Sequence, residues 1–396
     1  MKKTLIRLAT VFSGIGSVEF ALKRLNIPYD IIFACDNGER DIDYDEAKEK
    51  SIIRSLSSPI KKKKYVDELY QKATSAKNYV KKSYLANYHN FDENYYFQDI
   101  KLLDGTDFEG KVDLFVGGSP CQSFSSVGFQ GGLEDARGTL FYEYARLIEE
   151  IKPKVFIYEN VRNLLNHDHG KTWKIIQQIF DSLGYSYKYE ILNSSDYGIP
   201  QARRRLFVVG FRNDLNIDAE KAFSFPPKTN PTKFKMKDFS INNCAEGNMT
   251  FDDKGNIILL PGKGIPNKKY ILSPKLYDYV MKTGTKTWHQ KVEINKDIAR
   301  TLLKTMGNRH RAGVDNYLSF DETDNLGSVR MLTEREALRL MGYTDDYQIV
   351  VSRAQAYKQA GNSIVVDVMM AILKEIIDTG VFYYKRNRRK WCRYGK

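Results

Sequence analysis

The chain has 396 residues, with 62 lysines and arginines against 49 aspartates and glutamates, a formal excess of 13 positive charges. At 42% hydrophobic it is too apolar for a disordered chain, and it is too long for one ordinary core, so two lobes are expected. No apolar run reaches the roughly 18 residues of a membrane span, the start MKKTLIRLATVF holds no cleavage-like stretch, and four scattered cysteines form no disulfide framework or zinc module.

Up to about residue 212, short β-rich runs alternate with helical stretches, as a mostly parallel α/β sheet requires. Strands are expected near 5–11, 29–35, 94–100, 112–116, 154–158, 186–192 and 205–211, with helices near 17–26, 75–90, 138–151 and 171–183. Gly198 and Pro200 join the last two strands as an antiparallel hairpin at the sheet edge. Residues 39–90 are out of proportion to the rest and hold the run Lys61 to Lys64, read mainly as a solvated helical insertion and secondarily as a DNA-backbone contact. After about 213 the rhythm gives way to short segments split by Gly, Asn, Asp and Lys. Helical periodicity returns at 333–342 and 363–378, and the chain closes on the basic KRNRRKWCRYGK.

The first strand ends in Phe12-Ser13-Gly14-Ile15-Gly16 and passes straight into a helix, so Gly14 and Gly16 let the backbone turn tightly and approach a ligand. A pyrophosphate is excluded, because Glu19 stands where a third glycine would fall and an acid in the first helical turn repels it. S-adenosylmethionine, a nucleoside carrying a cation, fits better. Asp36 ends the second strand, where an acid receives ribose hydroxyls, and Asp99 ends the third, placed to accept from an adenine amino group.

The fourth strand leads into Gly117-Gly118-Ser119-Pro120-Cys121-Gln122, which sets Cys121 just past a carboxyl strand end, and the next strand delivers Glu159-Asn160-Val161 to the same rim. A thiol and a carboxyl beside a methyl donor have a use on cytosine. Carbon 5 of that ring becomes nucleophilic only after addition at carbon 6, and a group at ring N3 stabilises the charge that builds up. Arg203 and Arg205 share one side of an alternating strand, so two guanidiniums could hold a target phosphate, Glu159 and the base O2. His167 and His169 are read as a helix-start loop, and no metal site is expected.

In this order the chain resembles the bacterial DNA (cytosine-5) methyltransferases of restriction-modification systems. FSGIG at 12–16, QDI at 98–100, GGSPCQSFSSVGFQGG at 117–132 and RGTLF at 137–141 carry the resemblance, followed by ENV at 159–161, LNSSDYGIPQARRRLF at 192–207, LTEREALRLMGY at 332–343 and QAYKQAGNS at 355–363. The resemblance implies Cys121 as nucleophile, Glu159 as N3 partner, and Arg203 and Arg205 as binders of target base and phosphate. It implies that Phe12 stacks on the cofactor adenine, Asp36 takes the ribose and Asp99 with Ile100 the adenine edge, while Pro120, Leu140, Asn362 and Ser363 complete the pocket. Ser123 to Gly132 resembles the mobile loop that closes over a flipped cytosine, with Ser125, Val127 and Gln130 toward the DNA.

The implied fold is an S-adenosylmethionine-dependent, Rossmann-like methyltransferase α/β sheet with a smaller, loop-rich target-recognition domain. Residues 1–212 form the catalytic and cofactor lobe with an insertion at about 40–80, 213–328 the recognition domain, 329–384 a segment packing back on the catalytic lobe, and 385–396 a basic tail. The candidates for major-groove contact are Trp288, His289, Gln290, Lys291, Thr301, Leu302, Asn308, Arg309, His310 and Arg311. Three features depart from the family: Asn37 stands where many relatives place an aromatic residue against the adenine, Ser119 stands where Phe or Pro is usual, and the 63 residues from Asp36 to Asp99 are long for a compact member, which locates the insertion. A tRNA methyltransferase on the same lobe and a DNA-binding regulator are the competing readings; the long variable segment favours duplex DNA, and no separate N-terminal module is expected. The expected enzyme is a cytoplasmic bacterial monomer acting on double-stranded DNA, without membrane contact and without a stable complex with any cognate restriction endonuclease.

Overall fold

The computed structural model describes residues 5–120, 140–215, 217–228, 232–282, 292–307, 310–311 and 313–383. Its centre is a seven-stranded sheet in the order β3-β2-β1-β4-β5-β8-β6, built from β1 (Ile6–Val11), β2 (Tyr29–Cys35), β3 (Tyr96–Phe97), β4 (Leu114–Gly117), β5 (Val155–Val161), β6 (Tyr185–Asn193) and β8 (Arg204–Arg212). The first five strands run parallel, and β8 runs antiparallel to both β5 and β6. The expected hairpin is therefore present, with β8 inserted between β5 and the edge strand β6.

These strands read as apolar runs because both faces are covered. Alternate residues feed two cores. Ile6, Leu8, Leu114, Val116, Val155, Ile157, Phe207 and Val209 enter one, and Ala9, Val11, Phe115, Phe156, Tyr158, Leu206 and Val208 enter the other. On the second face lie α5 (Leu140–Ile151) and α6 (Lys171–Ser182), whose apolar stripes supply Phe141, Tyr144, Leu147, Ile148, Ile176 and Phe180. The first face is covered by α1 (Ser17–Arg24) and α11 (Val366–Asp378), pinned together where the buried Arg24 guanidinium pairs with Asp367 at 2.8 Å.

Three helices occupy the long stretch between β2 and β3: α2 (Glu46–Ser55), α3 (Pro59–Ala73) and α4 (Tyr79–Asn87). Each begins on a side chain that accepts a backbone N–H: Asp45 from Lys48, Ser58 from Lys61 and Asn78 from Lys81. The lysine run does not form a uniform solvated face. Lys61 and Lys64 are exposed, whereas Lys62 is buried against Asp104 and Asp107, each at 2.8 Å, and Lys63 pairs with Asp67.

Beyond β8 come α7 (Ala219–Ala222), a β9 (Met249–Phe251) and β10 (Ile257–Leu259) hairpin, and α8 (Pro274–Met281). Phe223, Met236, Phe239, Met249, Ala299 and Leu302 of this stretch pack into the first-face core, and a separate small cluster gathers Leu272, Val280, Val292, Tyr317 and Val329. Two further strand pairs complete the region. The two-residue β7 (Gln201–Ala202) pairs in parallel with β11 (Ala299–Arg300), and β12 (Tyr317–Ser319) pairs with β13 (Val329–Met331).

The C-terminal part returns to the sheet through α9 (Glu334–Arg339), α10 (Arg353–Asn362) and α11. The periodicity expected at 363–378 begins as a helix only at Val366, because Asn362 and Ser363 close the separate helix α10. No helix of the described residues is long and apolar enough to cross a membrane.

Candidate active site

At the carboxyl end of β1 the chain turns through Phe12, Gly14 and Gly16, all with left-handed backbones (φ 52°, 54° and 79°). For a bulky phenylalanine that conformation is strained, and the strain sits at the first expected cofactor residue. The turn is held by Asp36 at the end of β2, whose Oδ2 accepts from Gly14 N at 2.9 Å and Oδ1 from Gly38 N at 2.8 Å. Gly16 caps α1, and a Cβ there would lie 2.2 Å from the Tyr88 ring. That ring closes the helix end where a pyrophosphate would need to sit, and the buried Glu19 beneath it leaves Oε2 without a hydrogen-bond partner. The covered helix end leaves no place there for the pyrophosphate of a dinucleotide.

Asp99 follows β3 and is enclosed. Burial pushes its carboxyl above the usual range, against hydrogen bonds from Tyr44 and Tyr70. Ile100 is buried, and its carbonyl accepts from Arg146. Leu140 opens α5 and is partly buried in the second-face core. Across the cleft Asn362 is exposed and donates to Glu39 at 2.8 Å, while Ser363 is buried with its hydroxyl 3.0 Å from that of Tyr343. Asn37 points back along its own loop to Asp41.

The chemical rim lies at the ends of β4 and β5. Gly118 packs so closely on β5 that a Cβ would come 2.8 Å from the Glu159 carbonyl and 2.9 Å from Oε2. Its lack of a side chain thus makes room for the carboxylate of the next strand. Ser119 is buried; its carbonyl accepts from Asn160 Nδ2 at 2.9 Å, and its hydroxyl meets that of Tyr158 at 2.8 Å. Asn160 also donates to Tyr158, so the strand-end pair Tyr158 and Asn160 fixes the segment leading to Pro120, which is exposed. Cys121 lies outside the described residues, as do Ser125, Val127, Gln130, Trp288, His289, Gln290, Lys291, Asn308, Arg309 and the basic tail.

Glu159 keeps 15% of its side-chain surface open, and its Oε1 is 3.1 Å from Arg205 Nε. Burial raises its pKa, and the positive charges of Arg205 and Arg203 act in the opposite direction. Arg203 and Arg205 line one cavity with Leu192, Phe207 and Ile364, as alternation suggested, although the strand breaks at Arg203 between β7 and β8. Arg205 holds Glu159, one of the partners expected for the pair, whereas Arg203 is engaged by the backbone. Arg203 is buried and donates to the carbonyls of Leu302, Gly361 and Ser363 at 2.9–3.0 Å, while its Nε–H meets no acceptor. Burial lowers its pKa to about 9.

Some of the groove-reading candidates are corrected too. Leu302 is 1% exposed, and its N–H donates to Gln201, so its side chain is held in the core and away from any groove. Thr301 donates its hydroxyl to Ala202 O at 2.6 Å, which ties it to the β7 strand end. Arg311 pairs with Asp315 at 3.3 Å and donates to Thr305, and His310, half-buried beside the same aspartate, has its pKa lowered by burial. His167 meets Thr172 at 2.7 Å at the start of α6, as a loop residue would. The residues that sequence reasoning missed are Asn160 and Tyr158, which fix Ser119, and Tyr44, Tyr70 and Glu39, which touch the cofactor residues. Only Asn160 carried a signal, through its place in the Glu159-Asn160-Val161 run.

A parallel sheet with an added antiparallel strand, a glycine turn held by a strand-end acid, and a carboxylate paired to an arginine beside Ser119-Pro120 together define a methyltransferase of the α/β class. The C-5 cytosine-specific DNA methylase family matches residues 70–378, and the chain belongs to that family: it is a DNA cytosine-5 methyltransferase. Among its relatives are the type II methyltransferase M.HhaI of Haemophilus parahaemolyticus, 36% identical over 67% of this chain and 75% of its own, and M.SsoII of Shigella sonnei, 33% identical over 76% and 72%. The fold is also that of S. pombe Dnmt2 methyltransferase, with a TM-score of 0.62 at 16% identity over 94% of this chain and 98% of that one.

Proposed function

We propose that the chain methylates carbon 5 of a cytosine turned out of duplex DNA, with S-adenosylmethionine as donor, as the protective methylase of a type II restriction system. The observation that carries this reading is the Arg205–Glu159 pair set against Gly118, three residues before Cys121. The Cys121 thiolate adds to carbon 6, and Glu159, its proton held by burial, neutralises ring N3 as electrons move toward the ring. Arg205 keeps the Glu159 carboxyl in one orientation, and Arg203 places the Ser363 and Leu302 backbones around the pocket with an Nε–H to spare for the base. The cofactor, when bound, supplies an electrophilic methyl group to carbon 5. A water then takes the carbon 5 proton, the electron pair of that bond expels the Cys121 thiolate from carbon 6, and N3 returns its proton to Glu159, which restores the aromatic ring.

The residues that would hold the cofactor are Phe12 and the Gly14–Gly16 turn, Asp36 for the ribose, Asp99 and Ile100 for the adenine edge, and Pro120, Leu140, Asn362 and Ser363 around them. The Tyr88-covered helix end fits a nucleoside without a pyrophosphate. The relatives named type II methyltransferases support the restriction context, and a monomer is expected, with both lobes drawn into one core. Bisulfite sequencing of a plasmid from cells expressing the chain should show protected cytosines in one short sequence context. A plasmid without protected cytosines would overturn the reading.

A further inference from the structure

Side chains of residues 37–88, the stretch containing α2–α4, converge on the cofactor residues. The phenols of Tyr44 and Tyr70 both donate to Oδ2 of Asp99, at 2.8 and 3.0 Å, and Oδ1 accepts from Lys101 N at 2.9 Å. Asn78 caps α4 and donates to the Asp36 carbonyl at 2.9 Å, Tyr88 covers Gly16, and Glu39 holds Asn362. Tyr70 is 2% exposed, with the Arg40 guanidinium 5.1 Å from its ring centroid. Two of the four lysines that suggested a DNA contact are turned inward to aspartates.

We propose that this inserted segment is a scaffold for the cofactor site, in which Tyr44 and Tyr70 are positioning residues that hold the Asp99 carboxylate for the adenine amino group. The proposal rests on the methyltransferase reading above. Two donors on one oxygen fix the carboxylate rotamer, and Oδ1, with a single backbone donor, keeps acceptor capacity for an incoming N–H. The phenols also oppose burial, which favours the protonated acid, and so preserve the anion that accepts best. Cys35 on β2, Lys101 on the Asp99 loop and Arg146 on α5 are the other titratable groups around this carboxylate, and Glu46 on α2 lies behind Tyr44.

Calorimetric titration of the full chain with S-adenosylhomocysteine across acid to neutral pH tests it. Tyr44→Phe and Tyr70→Phe should each weaken binding about tenfold, the loss of one hydrogen bond to a charged group. Each should also move the acid limb of the affinity profile to higher pH, because Asp99 loses a donor that favours its charged form. In an Asp99→Asn background the limb should vanish and the phenol substitutions should add nothing. Tyr65→Phe, which removes a phenol bonded to Glu49 of the same segment, should leave affinity and limb unchanged. Wild-type affinity in Tyr44→Phe and Tyr70→Phe, or losses that persist in Asp99→Asn, would overturn the proposal. A wild-type chain that binds no S-adenosylhomocysteine would overturn the methyltransferase reading itself.

Discussion

At the scale of single residues, Glu159 shows how burial sets chemistry. The carboxyl binds its proton more tightly in the folded chain than in the unfolded one, so its contribution to stability is full below the unfolded pKa and is lost as pH rises through the folded value. If the protonated form assists attack, the methylation rate falls over the same rise. Arg205 lowers that pKa, so Arg205→Gln should move the alkaline limb of the single-turnover rate to higher pH even as the absolute rate drops; a limb that stays in place would separate Glu159 from the pH dependence. Glu159→Gln should reduce single-turnover methylation by about 10²- to 10⁴-fold, the usual range for a positioned acid, with DNA binding retained. These two residues were legible in the sequence because a motif and a strand period put them on one rim. Tyr44 and Tyr70 were not, since their partner Asp99 is reached only through the packing of α2 and α3.

At the scale of elements, two contacts decide what the loops can tolerate. Gly118→Ala would drive a methyl into the Glu159 backbone and carboxylate, so a cost of about 1–3 kcal/mol is expected from overpacking, together with a slower reaction. Urea unfolding and single-turnover rates check both parts. Lys62→Ala would leave Asp104 and Asp107 facing each other without their shared cation, and about 3 kcal/mol should be lost, whereas Lys61→Ala and Lys64→Ala should stay within about 0.5 kcal/mol of wild type. Equal effects at all four lysines would contradict the inward orientation. The inner strands were legible because they carry the runs of apolar residues that two covered faces require, and the edge strand β6 through its β-rich tyrosines. Of the insertion's three helices only α4 was foreseen, within the stretch 75–90; α2, α3 and the separate helix α10 were not resolved in advance. Their ends are set by local signals such as the Ser58 cap, and their apolar pattern is weak.

At the scale of the whole molecule, several arginines are engaged internally, so the net charge of +13 is carried by other cations. Arg203 serves backbone carbonyls, Arg205 serves Glu159, Arg311 serves Asp315, and Arg24, Arg330 and Arg339 are buried in pairs with Asp367, Glu336 and Asp345. The arginine of the 203–205 run left exposed is Arg204, on a strand that reaches the active rim. Arg204→Ala should therefore reduce the slope of log affinity for duplex DNA against log salt by about one without changing thermal stability, as expected for one lost phosphate contact. An unchanged slope would place the phosphate contacts elsewhere. The central claim is that Cys121 attacks a cytosine brought to this rim. Its most direct test is incubation of the chain and Cys121→Ser with S-adenosylmethionine and duplexes in which every cytosine is 5-fluorocytosine, followed by denaturing electrophoresis. A covalent protein–DNA band for the wild type and none for Cys121→Ser is the result expected; a wild type without the band, or a Cys121→Ser chain that still forms it, would contradict the account.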